Sequence, residues 1–402
     1  MNQNKGFFKG LAVGIVISFL VYILYTGINI ALIPTTDEGF AKKEWYEFMN
    51  KANDVIGILD TYYYEDIDYE KMFDGMYYGL VASIGDPYTM YMDAERFQSF
   101  ITDTEGSYAG IGVSVNQDPD DGILTIMQVF PGAPAESAGL QPSDKIIGVD
   151  GTNVVGMDSN EIIKMIKGPE DTEVTLTIAR QSEGRNFDSV VTRGIIEVPT
   201  IEYEMMDDGI GYIQVISFDA VTDEQFLEAL LDLENQGLNG LVIDLRNNPG
   251  GILDVALNIT DLFIPEGIIT YTIDGEGNKE VYETKDNVFF NKPLTVLVNG
   301  NSASASEIFT GAIKDYDVGT IIGTTTFGKG LVQKPFILND QSAVKVTISR
   351  YYTPNGDFIN GTGIEPHMVV ELAEENQYRM SVPYEEDLQL QAAVTQIEGQ
   401  IE

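Results

Sequence analysis

The chain contains no cysteine. Disulfide scaffolds, thiolate zinc sites and a cysteine nucleophile are therefore excluded. Histidine is almost absent too. His367 is the only one, so an HExxH metal site cannot be built and any histidine-dependent mechanism would rest on that residue. Basic residues are scarce, with 23 Lys and Arg against 63 Asp and Glu and a formal net charge of −40. Such a surface does not suit phosphate backbones, so nucleic acid is not an expected partner. No internal repeat is visible. What remains is a chain of 402 residues, 44% hydrophobic and 21% charged, which can bury a core. At roughly 150 residues per domain it should form two or three domains.

The longest apolar run is Leu11–Ile33, which carries no charge over its whole length. At about 1.5 Å per residue it is long enough to span a bilayer as one transmembrane helix. Lys5 and Lys9 precede it and Asp37 and Glu38 follow it. The positive-inside bias keeps the short N-terminal tail cytoplasmic and places the rest of the chain outside. The competing reading is a cleaved leader with Leu11–Tyr25 as its apolar region. Asn29-Ile30-Ala31-Leu32 makes a poor cleavage site, so a retained single-pass anchor in the cell membrane is expected.

After the stub and anchor, residues 1–36, the segment 37–103 reads as helical. Trp45, Phe48, Met49, Val55, Ile56 and Leu59 recur at three- and four-residue spacing, and a second run covers Tyr69–Ile84 before Gly85-Asp86-Pro87. These apolar faces invite packing against the body or a second copy, as a homodimer. Residues 104–184 change to short alternating runs: Ile111, Val113 and Val115, then Leu124 and Ile126, and last Val174, Leu176 and Ile178. An amphipathic helix over Ser159–Lys167 places Ile162, Ile163 and Ile166 on one side. Asp118–Asp121 reads as a solvated acidic hairpin rather than a calcium loop.

Residues 185–375 are mixed α/β. Strand candidates are Gly211–Ile216, Leu241–Leu245 and Leu294–Val298. Thr222 and Gln225 have capping-box spacing at the start of a helix. Loops at Asn247-Asn248-Pro249-Gly250-Gly251 and at Gly300-Asn301 follow buried strands, where α/β folds expose their chemistry. Residues 376–402 form a C-terminal segment.

Two segments carry chemistry. In Asn301-Ser302-Ala303-Ser304-Ala305-Ser306-Glu307, serines alternate with alanines where a strand meets a helix. The positive end of the helix favours developing negative charge there. Any of the three serines could equally cap the helix, and Ser304 and Glu307 have capping-box spacing. In Thr326-Phe327-Gly328-Lys329-Gly330-Leu331-Val332-Gln333, a lysine lies between glycines. A lysine activates a hydroxyl only when neutral, which an apolar surround promotes. By itself it also reads as a solvated loop residue, and Gln333 as a polar residue at a strand start.

Taken in order, YAGIG (Tyr108–Gly112), PGAPAESAGL (Pro131–Leu140) and DKIIGVDG (Asp144–Gly151) resemble a PDZ domain. The resemblance implies that Ala109, Gly110, Ile111 and Gly112 form the loop that holds a peptide's terminal carboxylate. It places Ile162, Ile163 and Ile166 on the helix beside the groove. SASASE, the Gly-Lys-Gly turn, RNNPGG, Gly85-Asp86-Pro87-Tyr88-Thr89 and Arg350–Gly356 together resemble the carboxyl-terminal processing peptidases, or tail-specific proteases, of serine peptidase family S41. The likeness runs from about residue 68 to 370.

That resemblance implies an α/β, crotonase-like protease domain with an inserted PDZ domain, acting as a serine endopeptidase on protein C-terminal tails. It implies Ser304 as nucleophile, Lys329 as general base and Gln333 as the residue that positions it. The Ala305 amide, with one from Gly250-Gly251, would form the oxyanion hole. Asp315 matches an acidic position with a supporting role. No cofactor and no metal is implied. The chain departs from the family at His367, where an aspartate is usual. The alternative is a catalytically silent, membrane-tethered PDZ scaffold.

Overall fold

The computed structural model describes residues 42–119, 121–285, 290–376 and 382–401. The apolar stretch Leu11–Ile33 lies outside them. Among the described residues no helix is long and apolar enough to cross a membrane. In chain order the elements begin with α1 (Lys42–Tyr62), α2 (Tyr69–Ala82), β1 (Met90–Met92), α3 (Ala94–Glu105), β2 (Ser107–Gly110), β3 (Val113–Gln117) and β4 (Leu124–Val129). Next come α4 (Pro134–Ser137), β5 (Lys145–Val149), β6 (Thr152–Asn153), α5 (Ser159–Ile166), β7 (Glu173–Arg180), β8 (Arg185–Thr192) and β9 (Gly194–Glu197). The α/β part comprises β10 (Ile201–Met205), β11 (Ile210–Val215), α6 (Thr222–Gln236), β12 (Gly240–Asp244), α7 (Leu253–Asp261), β13 (Ile268–Asp274), β14 (Lys279–Glu283) and β15 (Leu294–Val298). It continues through α8 (Ala305–Asp315), β16 (Thr320–Gly323), β17 (Leu331–Ile337), β18 (Ala343–Tyr352), β19 (Met368–Val369) and α9 (Leu388–Ile401).

The described residues fall into two compact units, 42–98 with 333–348, and 99–332 with 349–401. In the first, Asp68 caps α2 by accepting the Lys71 N–H at 3.2 Å. The expected break at Gly85-Asp86-Pro87 has a definite job. Asp86 accepts the Tyr88 N–H (3.0 Å) and the Thr89 hydroxyl (2.6 Å), and Thr89 Oγ1 accepts the Thr347 N–H (3.0 Å). These bonds set the register of β1 on β18, with Met90 opposite Lys345 and Met92 opposite Ala343. That short strand was not expected in a segment read as helical. Only three residues long, it shows no period.

Within the second unit, the PDZ-like part is an antiparallel sheet ordered β3-β4-β5-β7-β8, with β6 on β5. Its core gathers Ile111, Leu124, Ile126, Ile146, Ile162, Ile166, Val174, Leu176 and Ile178. The expected segment closes at residue 184, but β8 continues the sheet to Thr192, paired with β7 from Arg180↔Arg185 to Glu173↔Thr192. Its inward side carries polar Ser189 beside Phe187 and Val191, and apolar Val190 faces out, so the alternation is masked. In the acidic hairpin, the Lys145 amine bonds Asp118 at 3.3 Å and also Asp121.

The α/β part is a sheet ordered β10-β11-β12-β15-β16-β19, with β10 antiparallel to β11 and each later neighbour parallel. Buried strands expose both faces to helices. Leu241, Ile243, Val296 and Val298 point into the core shared with α6, α7 and α8. Val242, Leu297 and Ile322 point the other way, onto Leu390, Ala393, Val394 and Ile397 of α9. The expected capping box at Thr222 does not form. Thr222 Oγ1 accepts the Asp219 N–H, and the Gln225 side chain turns away to accept the Thr200 N–H (both 2.9 Å). A neighbouring strand end outcompetes the helix for that amide.

The lone histidine has a structural role. His367 Nδ1 accepts the Ile321 N–H at 3.0 Å beside the β16–β19 pairing. Burial first, then the charge of Lys314, depresses its pKa below the usual 6.5. A depressed histidine pKa means that protonation opposes the folded form. Its stabilising contribution is present above about pH 6.5 and is lost as pH falls through the depressed pKa. The unfolding midpoint of wild type should therefore drop relative to His367→Asn as pH goes from 7.5 to 5. Parallel melting curves for the two proteins would count against this.

Candidate active site

Strands β12 and β15 are parallel neighbours, so the loops leaving their C-terminal ends lie side by side. Asparagines stitch them together. The Asn247 N–H donates to Asn299 Oδ1 (3.0 Å), and Asn299 Nδ2 donates back to Asn247 Oδ1 (2.9 Å). The Asn248 carbonyl accepts the Ala303 N–H and the Ser306 hydroxyl, both at 3.0 Å. Asn248 is itself fully buried and anchored through Nδ2 to the Val215 carbonyl.

Gly250, at φ 99°, passes directly over the serine segment. A Cβ there would stand 2.6 Å from the Ala303 carbonyl oxygen and 2.8 Å from both the Ala305 nitrogen and Ser304 Cβ. The contact demands glycine. The Gly250 N–H is already committed to Asn248 Oδ1 at 2.8 Å. Gly251 is held by backbone pairing with Phe218.

The three serines, indistinguishable in sequence, separate in the structure. Ser302 and Ser306 are fully buried and donate to the carbonyls of Leu245 (2.7 Å) and Asn248 (3.0 Å). Ser304 alone is partly accessible. Its backbone, φ 56° and ψ −112°, lies where a non-glycine residue is rarely found. Such a conformation costs on the order of 1–3 kcal/mol and persists only when its surroundings dictate it. Here they do: the Ser304 N–H donates to Glu307 Oε2 (2.9 Å), and its carbonyl accepts the hydroxyl of buried Tyr351 (3.1 Å). Tyr351 has its phenol pKa driven up by burial and then by Glu307.

Glu307 also reaches the lysine loop. Its carboxylate accepts the N–H groups of Gly328 (2.7 Å) and Lys329 (2.8 Å) and the Thr326 hydroxyl (2.6 Å). The Phe327 N–H donates to the Ser302 carbonyl at 3.0 Å. The serine and lysine segments, 25 residues apart in sequence, are thus joined through backbone atoms. The Lys329 side chain is half-buried. Gln333 is half-buried on β17 and opens the stretch that belongs to the first unit. Asp315 accepts the Asn355 N–H at 2.8 Å, fastening the Thr353–Gly356 turn.

In sequence, Thr326 and Tyr351 lie inside the quoted segments but had no role of their own, and Glu307 stood only as a cap. Glu307 did carry a signal in its spacing from Ser304. Thr326 and Tyr351 carried none, since their partners are distant in sequence. A cavity of about 500 Å³ opens on the α9 side of the sheet, lined in part by Tyr212, Asp244 and Arg246. Neither Ser304 nor Lys329 lines it. Its arginine is already bound to Asp244 and Asp387.

In the PDZ-like part, Ala109 and Gly110 belong to β2, which pairs with β9 outside the main sheet. The carbonyls of Ile111 and Gly112 accept the N–H groups of Ala135 (2.8 Å) and Phe130 (3.0 Å). Gly112 lies at φ 78°, and a Cβ on it would come within 2.3 Å of Ala133 Cβ. Strand β3 is one of the two edge strands of its sheet. On α5, Ile162 and Ile166 face the core and Ile163 is half-buried. Buried Arg193 clasps the end of that helix, donating to the Ile166 (2.7 Å) and Met165 (3.2 Å) carbonyls.

Comparison with known proteins agrees with this organisation. Residues 209–370 match Peptidase family S41, residues 98–179 match the PDZ domain, and residues 16–96 match the activating protease CtpB N-terminal domain. The carboxy-terminal processing protease CtpA of Bacillus subtilis is 37% identical over 371 residues, covering 92% of this chain and 78% of that protein. The carboxyl-terminal-processing protease of Synechocystis sp. is 35% identical over 324 residues, covering 80% of this chain and 75% of that one. A solved photosystem II D1 C-terminal processing protease is 30% identical, with TM-score 0.46, covering 79% of this chain and 86% of that one. With more than a third of its residues shared across nine-tenths of its length, the chain belongs to peptidase family S41 and is a serine-type carboxyl-terminal processing endopeptidase with a PDZ domain.

Proposed function

We propose that Ser304 and Lys329 form the catalytic pair. The observation that carries this is the single Glu307 carboxylate bound to the backbone of both residues. Ser304 Oγ attacks the scissile carbonyl carbon while its proton passes to neutral Lys329 Nζ. The oxyanion is met by the Ala305 N–H at the start of α8 and by an amide of the Gly250-Gly251 loop. Because the Gly250 N–H serves Asn248, the Gly251 N–H is the better donor. The protonated lysine then returns its proton to the leaving amine as the C–N bond breaks, and water releases the acyl group. Gln333 positions the lysine amine, as the family resemblance implies.

Substrate enters by its C-terminal tail. The tail adds as a strand along the open edge of β3, beside α5, with its carboxylate on the N–H groups of Ile111 and Gly112. Gly112→Ala should abolish binding of an apolar tail peptide, because the new methyl meets Ala133 and the residue must keep a positive φ. Titration of a fluorescent tail peptide checks this. Undiminished affinity would move the carboxylate site elsewhere.

The apolar segment 11–33 anchors the enzyme with its peptidase outside the cytoplasm. Exposed Trp45, Phe48, Tyr77 and Leu80 on α1 and α2 pair two copies as a homodimer. Light scattering should give twice the chain mass, falling to one chain in Trp45→Glu/Leu80→Glu. The governing experiment is proteolysis of an unfolded protein with an apolar tail. Activity lost in both Ser304→Ala and Lys329→Ala supports the enzyme. A wild-type protein that binds tails without cutting them would be a scaffold.

A further inference from the structure

We infer that Glu307 is a positioning residue that sets Ser304 against Lys329. This rests on the reading of those two residues as the catalytic pair. Four donors converge on this fully buried carboxylate. Oε2 takes the backbone N–H groups of Ser304 (2.9 Å) and Lys329 (2.8 Å), so one oxygen atom is shared by the two residues. Oε1 takes the Gly328 N–H (2.7 Å) and the Thr326 hydroxyl (2.6 Å). The Thr326 oxygen in turn accepts the Ile364 N–H at 2.7 Å, fixing the hydroxyl's direction.

An ordinary capping box would need only the first of these bonds. The other three lead away from the helix, into a loop more than 18 residues onward in sequence, and stability of α8 does not require them. They hold the loop at Gly328, whose φ of 84° lets its backbone turn towards the carboxylate. The same acceptor holds the N–H of Ser304, the residue with the strained backbone. A carboxylate suits this task because it presents acceptor positions only and can face four donors at once. A glutamine of the same shape would turn an NH2 group at two N–H or O–H donors. A misplacement of the pair of even 1 Å is enough to cost about 10²-fold in rate.

The test uses the full chain, an unfolded protein substrate with an apolar tail, and a fluorophosphonate probe for serine reactivity. Glu307→Gln should lower kcat by about 10²-fold with KM and tail-peptide affinity unchanged. In a Lys329→Ala background, where no base remains to be positioned, adding Glu307→Gln should reduce fluorophosphonate labelling by less than about threefold. A general loss of structure would instead multiply with the Lys329→Ala defect and change tail binding. Thr326→Val keeps the shape but removes one donor from Oε1 and should lower kcat about tenfold at constant KM. This variant decides the matter if Glu307→Gln does not fold.

Near-wild-type kcat in both variants, or a Glu307→Gln loss that multiplies fully with Lys329→Ala, would overturn the inference. Retained turnover in Ser304→Ala or Lys329→Ala would instead remove the reading beneath it, so the two failures are distinguishable.

Discussion

Ser304→Ala is expected to abolish proteolysis, with turnover down by on the order of 10⁴-fold or more, while tail-peptide affinity is kept. The expectation is specific to this serine. Ser302 and Ser306 are fully buried and their hydroxyls donate to the Leu245 and Asn248 carbonyls, so they hold loops and cannot attack a substrate. Ser302→Ala and Ser306→Ala should each cost about 1 kcal/mol of stability, from one lost hydrogen bond, because the Leu245 and Asn248 carbonyls keep the N–H groups of Asn248 and Ala303. They should leave a serine that still reacts with a fluorophosphonate. The contrast is read by comparing kcat with the unfolding midpoint across the three alanine variants. If Ser302→Ala or Ser306→Ala removed reactivity from a folded protein and Ser304→Ala did not, the nucleophile would be reassigned.

Gly250→Ala should be nearly as damaging to turnover, although it deletes nothing. The added methyl would lie 2.6–2.8 Å from the Ala303 oxygen, the Ala305 nitrogen and Ser304 Cβ. Two of these are backbone atoms, so the strain cannot be relieved by rotating a side chain. The loop must move away from the start of α8, and the oxyanion donors separate. Loss of a single such donor costs about 10²–10³-fold in kcat. A fall of at least that size is expected, carried by kcat rather than KM. Measuring both constants for Gly250→Ala, with Gly275→Ala as a control at a position open to a methyl group, checks it. An active Gly250→Ala enzyme would mean the loop does not approach the serine as described.

Much of this architecture was legible because it depends on local pattern. The strand candidates Leu241–Leu245 and Leu294–Val298 are apolar runs broken only by Asp244 and Thr295, and such runs suit burial on both faces. The loops that follow them announce themselves by glycine and asparagine. What stayed hidden depends on partners far away in sequence. Strand β8 shows weak alternation because Ser189 faces in and Val190 faces out, and its pairing with β7 reveals it. The Thr222–Gln225 spacing promised a capping box, but Thr200 takes the glutamine. The Ser304–Glu307 spacing was correctly seen but incompletely understood. The sequence cannot show that the same carboxylate meets Gly328 and Lys329, nor that Tyr351 closes on the other side of the serine peptide. Among serines of identical local context, accessibility and backbone strain made the distinction, and both arise only on folding.

The central claim is that a neutral lysine activates Ser304. The most direct measurement is the rate of fluorophosphonate labelling of Ser304 against pH, in wild type and in Lys329→Ala. A lysine base is active only when deprotonated, so labelling should rise with pH through one ionisation with a midpoint below a free lysine's value of about 10.4. That rise should vanish in Lys329→Ala. The same pH-dependent rise in wild type and Lys329→Ala would contradict the account.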